Sequence, residues 1–335
     1  MTARIAVYGA YGHTGRFVLD ELRQRGLVPV ACGRDPARLE QLAAATGVEV
    51  RTAAVDDAAA LDAAFAGTAA VLHCAGPFLD TAAPVLDAAL RARIHYLDVA
   101  AEQRAVLATF AHDAAARTAG VTVVPAMAFY GGFADLLASA VLDGATDADA
   151  VDIAVALDGW HPTRGTRLTG ERNHYPRTYV EHGRQRTVPD PAPLRETDFP
   201  APFGRLETTL LPLSESVVVP HHVACRQLHA WMNLAPLREL RDPATPAPSA
   251  ADASGRSAQR FVVDVRVQRG QRMRRAIASG RDIYAVTAPL LVEALQRILS
   301  GRVRGSGALA PGQAFDARDF LATLAPAIAV TFETG

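Results

Sequence analysis

The chain has 335 residues, 50% of them hydrophobic, with 34 basic and 35 acidic side chains and a formal net charge of −1. That balance excludes a basic nucleic-acid footprint and an acidic tail, and the length predicts about two domains. No lysine occurs anywhere, which excludes Schiff-base chemistry, a lysine general base and the Tyr-x-x-x-Lys pair of classical short-chain dehydrogenases. Cys32, Cys74 and Cys225 are odd in number and form no C-x-x-C pair. Neither a metal site nor a disulfide framework is expected, and a reduced, cytoplasmic setting is. The chain enters its first strand without a charged start and apolar run, and no stretch approaches the ~18–20 apolar residues of a membrane span. No signal peptide or membrane segment is therefore expected.

The first third alternates between strand and helix. Apolar runs predict strands over 4–8, 28–32, 49–54, 70–74, 95–98 and 122–125. Helical spacing predicts helices over 14–26, 36–46, 58–65, 82–92 and 101–118. Repeated β-α-β units of this kind imply a parallel, doubly wound sheet. The pattern then changes. A helix is expected over 133–142 and a strand over 150–158. Residues 159–205 are rich in Arg, Pro, Gly and His and read as long loops with short strands. Strands follow over 206–213 and 260–268, and Gln268–Gln271 reads as a hairpin turn into 272–279. Residues 242–257 lack periodicity and read as a surface loop. The spacing of Leu290, Leu291, Ala294, Leu295 and Ile298 predicts an amphipathic helix over 282–300, with Asp282 as its N-cap. The expected class is α/β: a Rossmann doubly wound parallel sheet (1–128), a second α+β domain for substrate and dimerisation (129–278) and a C-terminal helical return segment (279–335).

The stretch VYGAYGHTGRF places Gly9, Gly12 and Gly15 three apart between the first strand and the first helix. Gly9 permits a sharp turn, Gly12 a close approach to a pyrophosphate and Gly15 close packing of helix on sheet. The helix N-terminus beyond Tyr11, His13 and Thr14 offers N–H groups to phosphates. Arg34 ends the second strand, where a carboxylate would favour a free ribose 2′-hydroxyl. With Arg38 one turn on, it favours a 2′-phosphate and hence NADP(H). Asp35 weakens that preference if it points at the ribose. Asp56 and Asp57 touch an adenine edge or cap the next helix. Cys74, Ala75, Gly76 and Pro77 close the fourth strand and are expected along the cofactor, with Cys74 a small filler rather than a nucleophile.

Taken together, GAYGHTG, the Gly33-Arg34 pair, CAGPF at 74–78 and HYLDVAAE at 95–102 resemble the saccharopine dehydrogenase superfamily. SGRDIYAVTAPLLVEALQRILSG (279–301) and PGQAFDARDFLATL (311–324) resemble its C-terminal segment. The resemblance is greatest to bacterial saccharopine dehydrogenase-like oxidoreductases, also described as trans-acting enoyl reductases. It is weak over 159–258. It implies NADP(H) as hydride source, a small-molecule substrate in a cleft between two domains and a homodimer through the second domain. Relatives carry a G-x-G-F-D-like stretch after the sixth strand, whereas this chain reads PAMAFYGGFAD from Pro125, which argues against saccharopine itself as substrate.

Hydride transfer needs an aligned acceptor and a proton donor. Tyr130, flanked by Gly131 and Gly132, is the first candidate donor; the other reading packs it in the hinge. Asp98 contacts the nicotinamide ribose or the substrate, or else caps the next helix, and Glu102 shares that ambiguity. Met127 and Phe129 are candidate apolar substrate contacts. Arg164, Arg167 and Arg172, with His174 or Tyr175, form a candidate anion clamp or a solvated lobe. Tyr284 is a further cleft candidate. His221 and His222 lack a third ligand for a metal. The resulting expectation is an NADPH-dependent reductase of C=C or C=N bonds; the alternative is a non-catalytic NADP(H)-binding sensor or accessory partner.

Overall fold

The computed structural model describes residues 2–334. In chain order the first elements are β1 (Arg4–Tyr8), α1 (His13–Gln24), β2 (Val28–Gly33), α2 (Pro36–Thr46), β3 (Glu49–Thr52), α3 (Ala58–Phe65), β4 (Ala70–His73), α4 (Phe78–Ala92) and β5 (His95–Asp98). α5 (Gln103–Phe110), α6 (Asp113–Ala119) and β6 (Thr122–Val124) follow. After a turn at Phe129–Phe133 come α7 (Ala134–Leu142), β7 (Asp147–Leu157), α8 (Arg164–Arg172), β8 (Thr178–Glu181), β9 (Arg184–Thr187), β10 (Leu194–Asp198) and β11 (Arg205–Leu210). α9 (Glu215–His222), β12 (Ala224–Asn233), α10 (Leu234–Arg241), β13 (Arg260–Arg269) and β14 (Arg272–Arg281) lead to α11 (Thr287–Leu299). The chain closes with β15 (Gly307–Ala308), α12 (Pro311–Ala314), α13 (Ala317–Ala322) and β16 (Ile328–Thr334).

The chain divides into two compact units, Met1–Ala128 with Thr287–Leu309, and Phe129–Val286 with Ala310–Gly335. The first is the expected doubly wound domain. Its sheet runs β15-β6-β5-β4-β1-β2-β3, and every pairing in it is parallel. Strand order reverses beside β1, between β4 and β2, which opens the crevice where such sheets take ligands. Register puts Cys32 and His73 opposite Tyr8, and Asp98 opposite His73, so these strands end on one rim. Ile5, Val7, Val30, Val71, Leu72 and Leu97 are fully buried, as continuous apolar strands between helix layers must be. The return helix α11 buries Leu290, Leu291, Ala294, Leu295 and Ile298 and packs on α1. Its Glu293 bonds Arg297 at 2.8 Å and Arg25 at 2.6 Å.

The segment returning to this unit is Thr287–Leu309, not a purely helical stretch, because Gly307–Ala308 adds a seventh strand beside β6. From Ala310 the chain belongs to the second unit, where β16 pairs with β14. That unit's sheet has nine strands, seven in the path β10-β11-β12-β7-β13-β14-β16, with β8 paired to β12 and β9 to β8. Only β7 and β12 run parallel.

Several expectations shift. The helix expected over 101–118 breaks at Ala111–His112 into α5 and α6. The helix expected from Ala82 begins at Phe78 and runs through Pro84. Residues 159–205 hold a real helix, α8, with no buried residue. Thr163 caps it, accepting from Thr166 N at 3.1 Å. Asp282 lies at φ +66 and heads the turn before α11 rather than the helix itself. Its Oδ1 accepts from Tyr284 and Ala285 N, both at 3.0 Å. No helix among the described residues is long and apolar enough to cross a membrane.

Candidate functional site

The first-unit site is built on the β1–α1 turn. Gly9 turns the chain at φ +89; a side chain there would run into Ala75 at the end of β4. A Cβ on Gly15 would overlap the Gly9 carbonyl and Ala10, so this glycine lets the helix sit against the turn. A Cβ on Gly12 would meet only the Gly9 carbonyl, at 3.0 Å, and otherwise open space. No side chain caps α1 at Gly12. An uncapped helix start beside open space is the cradle a pyrophosphate requires, so the residues present fit a dinucleotide.

Tyr11 lies across the end of β2, its ring over Gly33, and Arg38 stacks on it with its guanidinium carbon 4.5 Å from the ring centroid. Arg34 is exposed beside them. Asp35 Oδ1 accepts from Arg38 N at 3.2 Å, so its carboxylate caps α2. Asp57 likewise caps α3, accepting from Ala60 N at 2.9 Å. On the β4 side, Cys74, Ala75, Gly76 and Pro77 are all partly exposed along the rim. Burial pushes the Cys74 thiol up to about 12, which keeps it un-ionised and supports the filler reading. His73 is fully buried and bonds Thr81 Oγ1 at 3.0 Å. Burial lowers it to about 3, so it is a neutral packing residue.

Asp98 is fully buried. Its Oδ1 accepts from Ala126 N at 2.8 Å and Ala100 N at 3.0 Å, and its Oδ2 from Tyr96 Oη at 3.0 Å. Ala126 sits at φ +55, a costly conformation for a residue with a Cβ. Asp98 thus holds the strained peptide that leaves β6. Burial raises its carboxyl to about 6 against those three bonds. Because the folded pKa lies above the ordinary 3.8, the protonated form favours folding, and stability declines as pH rises from about 4 through about 6. Asp98→Asn should remove that slope from thermal melts. Asp98→Ala strands three buried donors and should cost at least about 3 kcal/mol in denaturant titration. Glu102 sits at the α5 N-cap without capping it. Its carboxylate accepts instead from Phe78 N at 2.9 Å and Ala101 N at 3.1 Å.

In the second unit, Tyr130 occupies the Phe129–Phe133 turn, where Gly131 at φ +92 reverses the chain. Its ring stacks on Trp160 at 5.5 Å and 27°, and its hydroxyl is buried with no hydrogen-bond partner. Burial holds the phenol well above its ordinary range, so it stays protonated. Tyr284 Oη receives Trp160 Nε1 at 2.9 Å and Thr163 N at 3.3 Å, and bonds Thr166 Oγ1 at 2.9 Å. It locks Trp160 and the start of α8 in place. Glu215 is 4% exposed; its Oε1 accepts from Leu213 N at 2.6 Å, and Gly131 N also donates to it. Sequence reasoning missed Glu215 and the Trp160 support. The Ser214-Glu215 pair ahead of Val217–Val219 is the helix-start signal that marks the former.

The candidate anion clamp does not assemble as one. Arg167 Nη2 donates to the carbonyls of Asp242, at 3.2 Å, and Thr245, at 2.7 Å, which ties α8 to the loop after α10. Arg164, Arg172, His174 and Tyr175 are exposed along and just after α8. Met127 and Phe129 are buried. His222 Nε2 lies 2.7 Å from Asp135 Oδ1, and Asp135 Oδ2 accepts from Gly312 N at 2.7 Å. Burial lowers His222, but the charge and hydrogen bond of Asp135 outweigh it and leave the imidazole raised.

A glycine turn at the switch point of a parallel sheet, with cationic side chains after the second strand, defines a dinucleotide-binding domain. Residues 5–124 match the family model described as saccharopine dehydrogenase NADP binding domain. The first unit is a domain of that saccharopine dehydrogenase-like superfamily, its cofactor is NADP(H), and the protein is an NADP-dependent oxidoreductase. Among solved structures, apo saccharopine dehydrogenase (L-Glu forming) from Saccharomyces cerevisiae aligns over 99% of this chain and 100% of its own, with a TM-score of 0.69 and 14% identity. At that identity the likeness shows the shared fold. Triphenylmethane reductase from Citrobacter sp., complexed with NADP(H), aligns over 43% of this chain and 57% of its own, with a TM-score of 0.32 and 23% identity. Comparison with curated proteins gives no match.

Proposed function

We propose that the protein is an NADPH-dependent reductase that passes a hydride to a C=C or C=N bond of a small organic acceptor, with Tyr130 as proton donor. The observation that carries this reading is the buried Tyr130 hydroxyl without a partner. An unsatisfied buried hydroxyl costs about 1–3 kcal/mol and is retained where a ligand atom completes it. A neutral phenol can donate a proton to the anion left when hydride adds to an enone or imine. The dihydronicotinamide supplies the hydride when NADPH is bound; the chain aligns it through the Gly9–Gly15 turn. The apolar content of Ala126–Phe133 favours a hydrophobic acceptor and so, of the two chemistries, enoyl reduction.

The test is titration with NADPH and NADH followed by nicotinamide fluorescence, then NADPH oxidation against panels of enones and imines. Tight NADPH binding and turnover on one panel support the reading; tight binding without turnover on either favours a non-catalytic sensor. We further propose that Arg34 and Arg38 hold the 2′-phosphate. Arg34→Ala should then weaken NADPH by roughly 10–100-fold, the worth of a charge-assisted pair, and leave NADH nearly unchanged. An equal loss for both cofactors would remove the 2′-phosphate assignment.

A further inference from the structure

The carboxyl of Glu215 is buried in the second unit and makes no direct ion pair among the described residues. Its bonds are to backbone N–H groups: Leu213 N at 2.6 Å, its own N–H and Gly131 N, the last in the peptide that follows Tyr130. Ser214, just before it, is fully buried and its Oγ has no partner. The turn bearing Tyr130 packs directly on the helix that Glu215 opens. One small region therefore holds a buried acid, a buried phenol and a buried hydroxyl, the last two unsatisfied. Backbone donors need only an acceptor oxygen, which glutamine also provides. The acid is thus more than the fold requires.

We propose that Glu215 is the proton reservoir for Tyr130, resupplying the phenolic proton once it has passed to the acceptor. The inference rests on Tyr130 being the donor. Hydride forms a C–H bond at one end of the acceptor double bond, and the π electrons move to the other end. That anionic atom takes the proton from Tyr130 Oη. The phenolate takes a proton from the Glu215 carboxyl by way of water, since the two groups share no direct hydrogen bond. The carboxylate then recovers a proton from solvent. The balance is one hydride from NADPH and one proton from water for each acceptor reduced. Glu215 acts through Tyr130 and is a positioning residue.

The charged and titratable groups around Glu215 are few. Tyr130 is on the turn packed against its helix, and both Tyr284 and Glu215 act electrostatically on Tyr130. Arg177, just before β8, is a cation that acts on Glu215 and is itself opposed by Arg241. On the other elements packed against α9, the His222–Asp135 pair joins it to α7, and Cys225 is the second residue of β12. Burial outweighs Arg177 and the backbone donors and raises the Glu215 carboxyl to about 7, so near neutral pH the protonated and ionised forms are both well populated.

The test has one arm without cofactor and one with it. The chain has two tryptophans, and Trp231→Phe leaves Trp160, stacked on Tyr130, as the sole emitter. Its emission should titrate with a midpoint near 7; Glu215→Gln should abolish the transition and Glu215→Asp restore it at a shifted midpoint. In turnover, Glu215→Gln should lower kcat by roughly 10-fold or more at unchanged KM, with partial recovery in imidazole buffer and in Glu215→Asp. An emission transition that persists in Glu215→Gln overturns the inference, even if no acceptor is found. An unchanged kcat in Glu215→Gln alongside an inactive Tyr130→Phe also overturns it while leaving the reductase reading intact. An active Tyr130→Phe removes the donor itself, and this inference with it.

Discussion

Replacing Tyr130 by phenylalanine is expected to abolish most turnover without weakening the fold. The ring keeps its stack on Trp160 and its place in the Phe129–Phe133 turn. The only group lost is a hydroxyl that is buried and bonded to nothing among the described residues. Removing an unsatisfied buried polar atom is neutral or stabilising by about 1 kcal/mol, so Tm should stay level or rise. A general acid is worth roughly 10²–10⁴ in rate, and kcat should fall by that factor while NADPH affinity holds. Few substitutions separate function from stability so cleanly, because most polar residues in a core also bond to it. Paired thermal melts and steady-state kinetics decide the matter. Full activity in Tyr130→Phe would make the residue hinge packing.

The second large effect separates two glycines of the same turn. Gly15→Ala drives a Cβ into the Gly9 carbonyl and Ala10 backbone. Backbone cannot rotate away as a side chain can, so the helix must lift from the turn, at a cost of about 1–3 kcal/mol or more. Both Tm and NADPH binding should drop. Gly12→Ala meets only one carbonyl, at 3.0 Å, and Gly12 sits at φ −70, where alanine is unstrained. Its methyl instead fills the space open to the pyrophosphate. Here Tm should hold while NADPH affinity falls by roughly 10-fold or more, the cost of displacing a phosphate from its N–H donors. Calorimetric melts and fluorescence titration of the two variants read both quantities. Unaltered binding in Gly12→Ala would place the phosphates elsewhere.

The first unit was legible because its signals are local. Ile5–Tyr8, the three glycines and the Cys32–Arg34 strand end are contiguous, and each acts through its own backbone. The helix spacing of Leu290–Ile298 was equally plain. The second unit hid more. The strand Ala224–Asn233 mixes Arg, Gln and His with Leu and Trp and becomes a strand by pairing with Asp147–Leu157. Arg164–Arg172 carries two glycines and buries nothing; Tyr284, far along the chain, fixes its start. Gly307–Ala308 is too short to announce itself and is a strand only because Thr122 and Val123 lie alongside.

The same division holds for the site. By itself the sequence determined the turn for the dinucleotide, the arginine after the second strand, the absence of lysine chemistry and Tyr130 as a candidate. Residue type and spacing along one backbone are enough for those. Only the tertiary structure decided what each polar group spends its bonds on. It gave Asp35 to the α2 cap, Asp98 to the Ala126 peptide, Arg167 to two carbonyls, and left Tyr130 with none. It also packed the helix that Glu215 opens against the turn bearing Tyr130. Burial and partnership depend on residues distant in the chain, and it is those two quantities that turn a side chain into an acid, a latch or a donor.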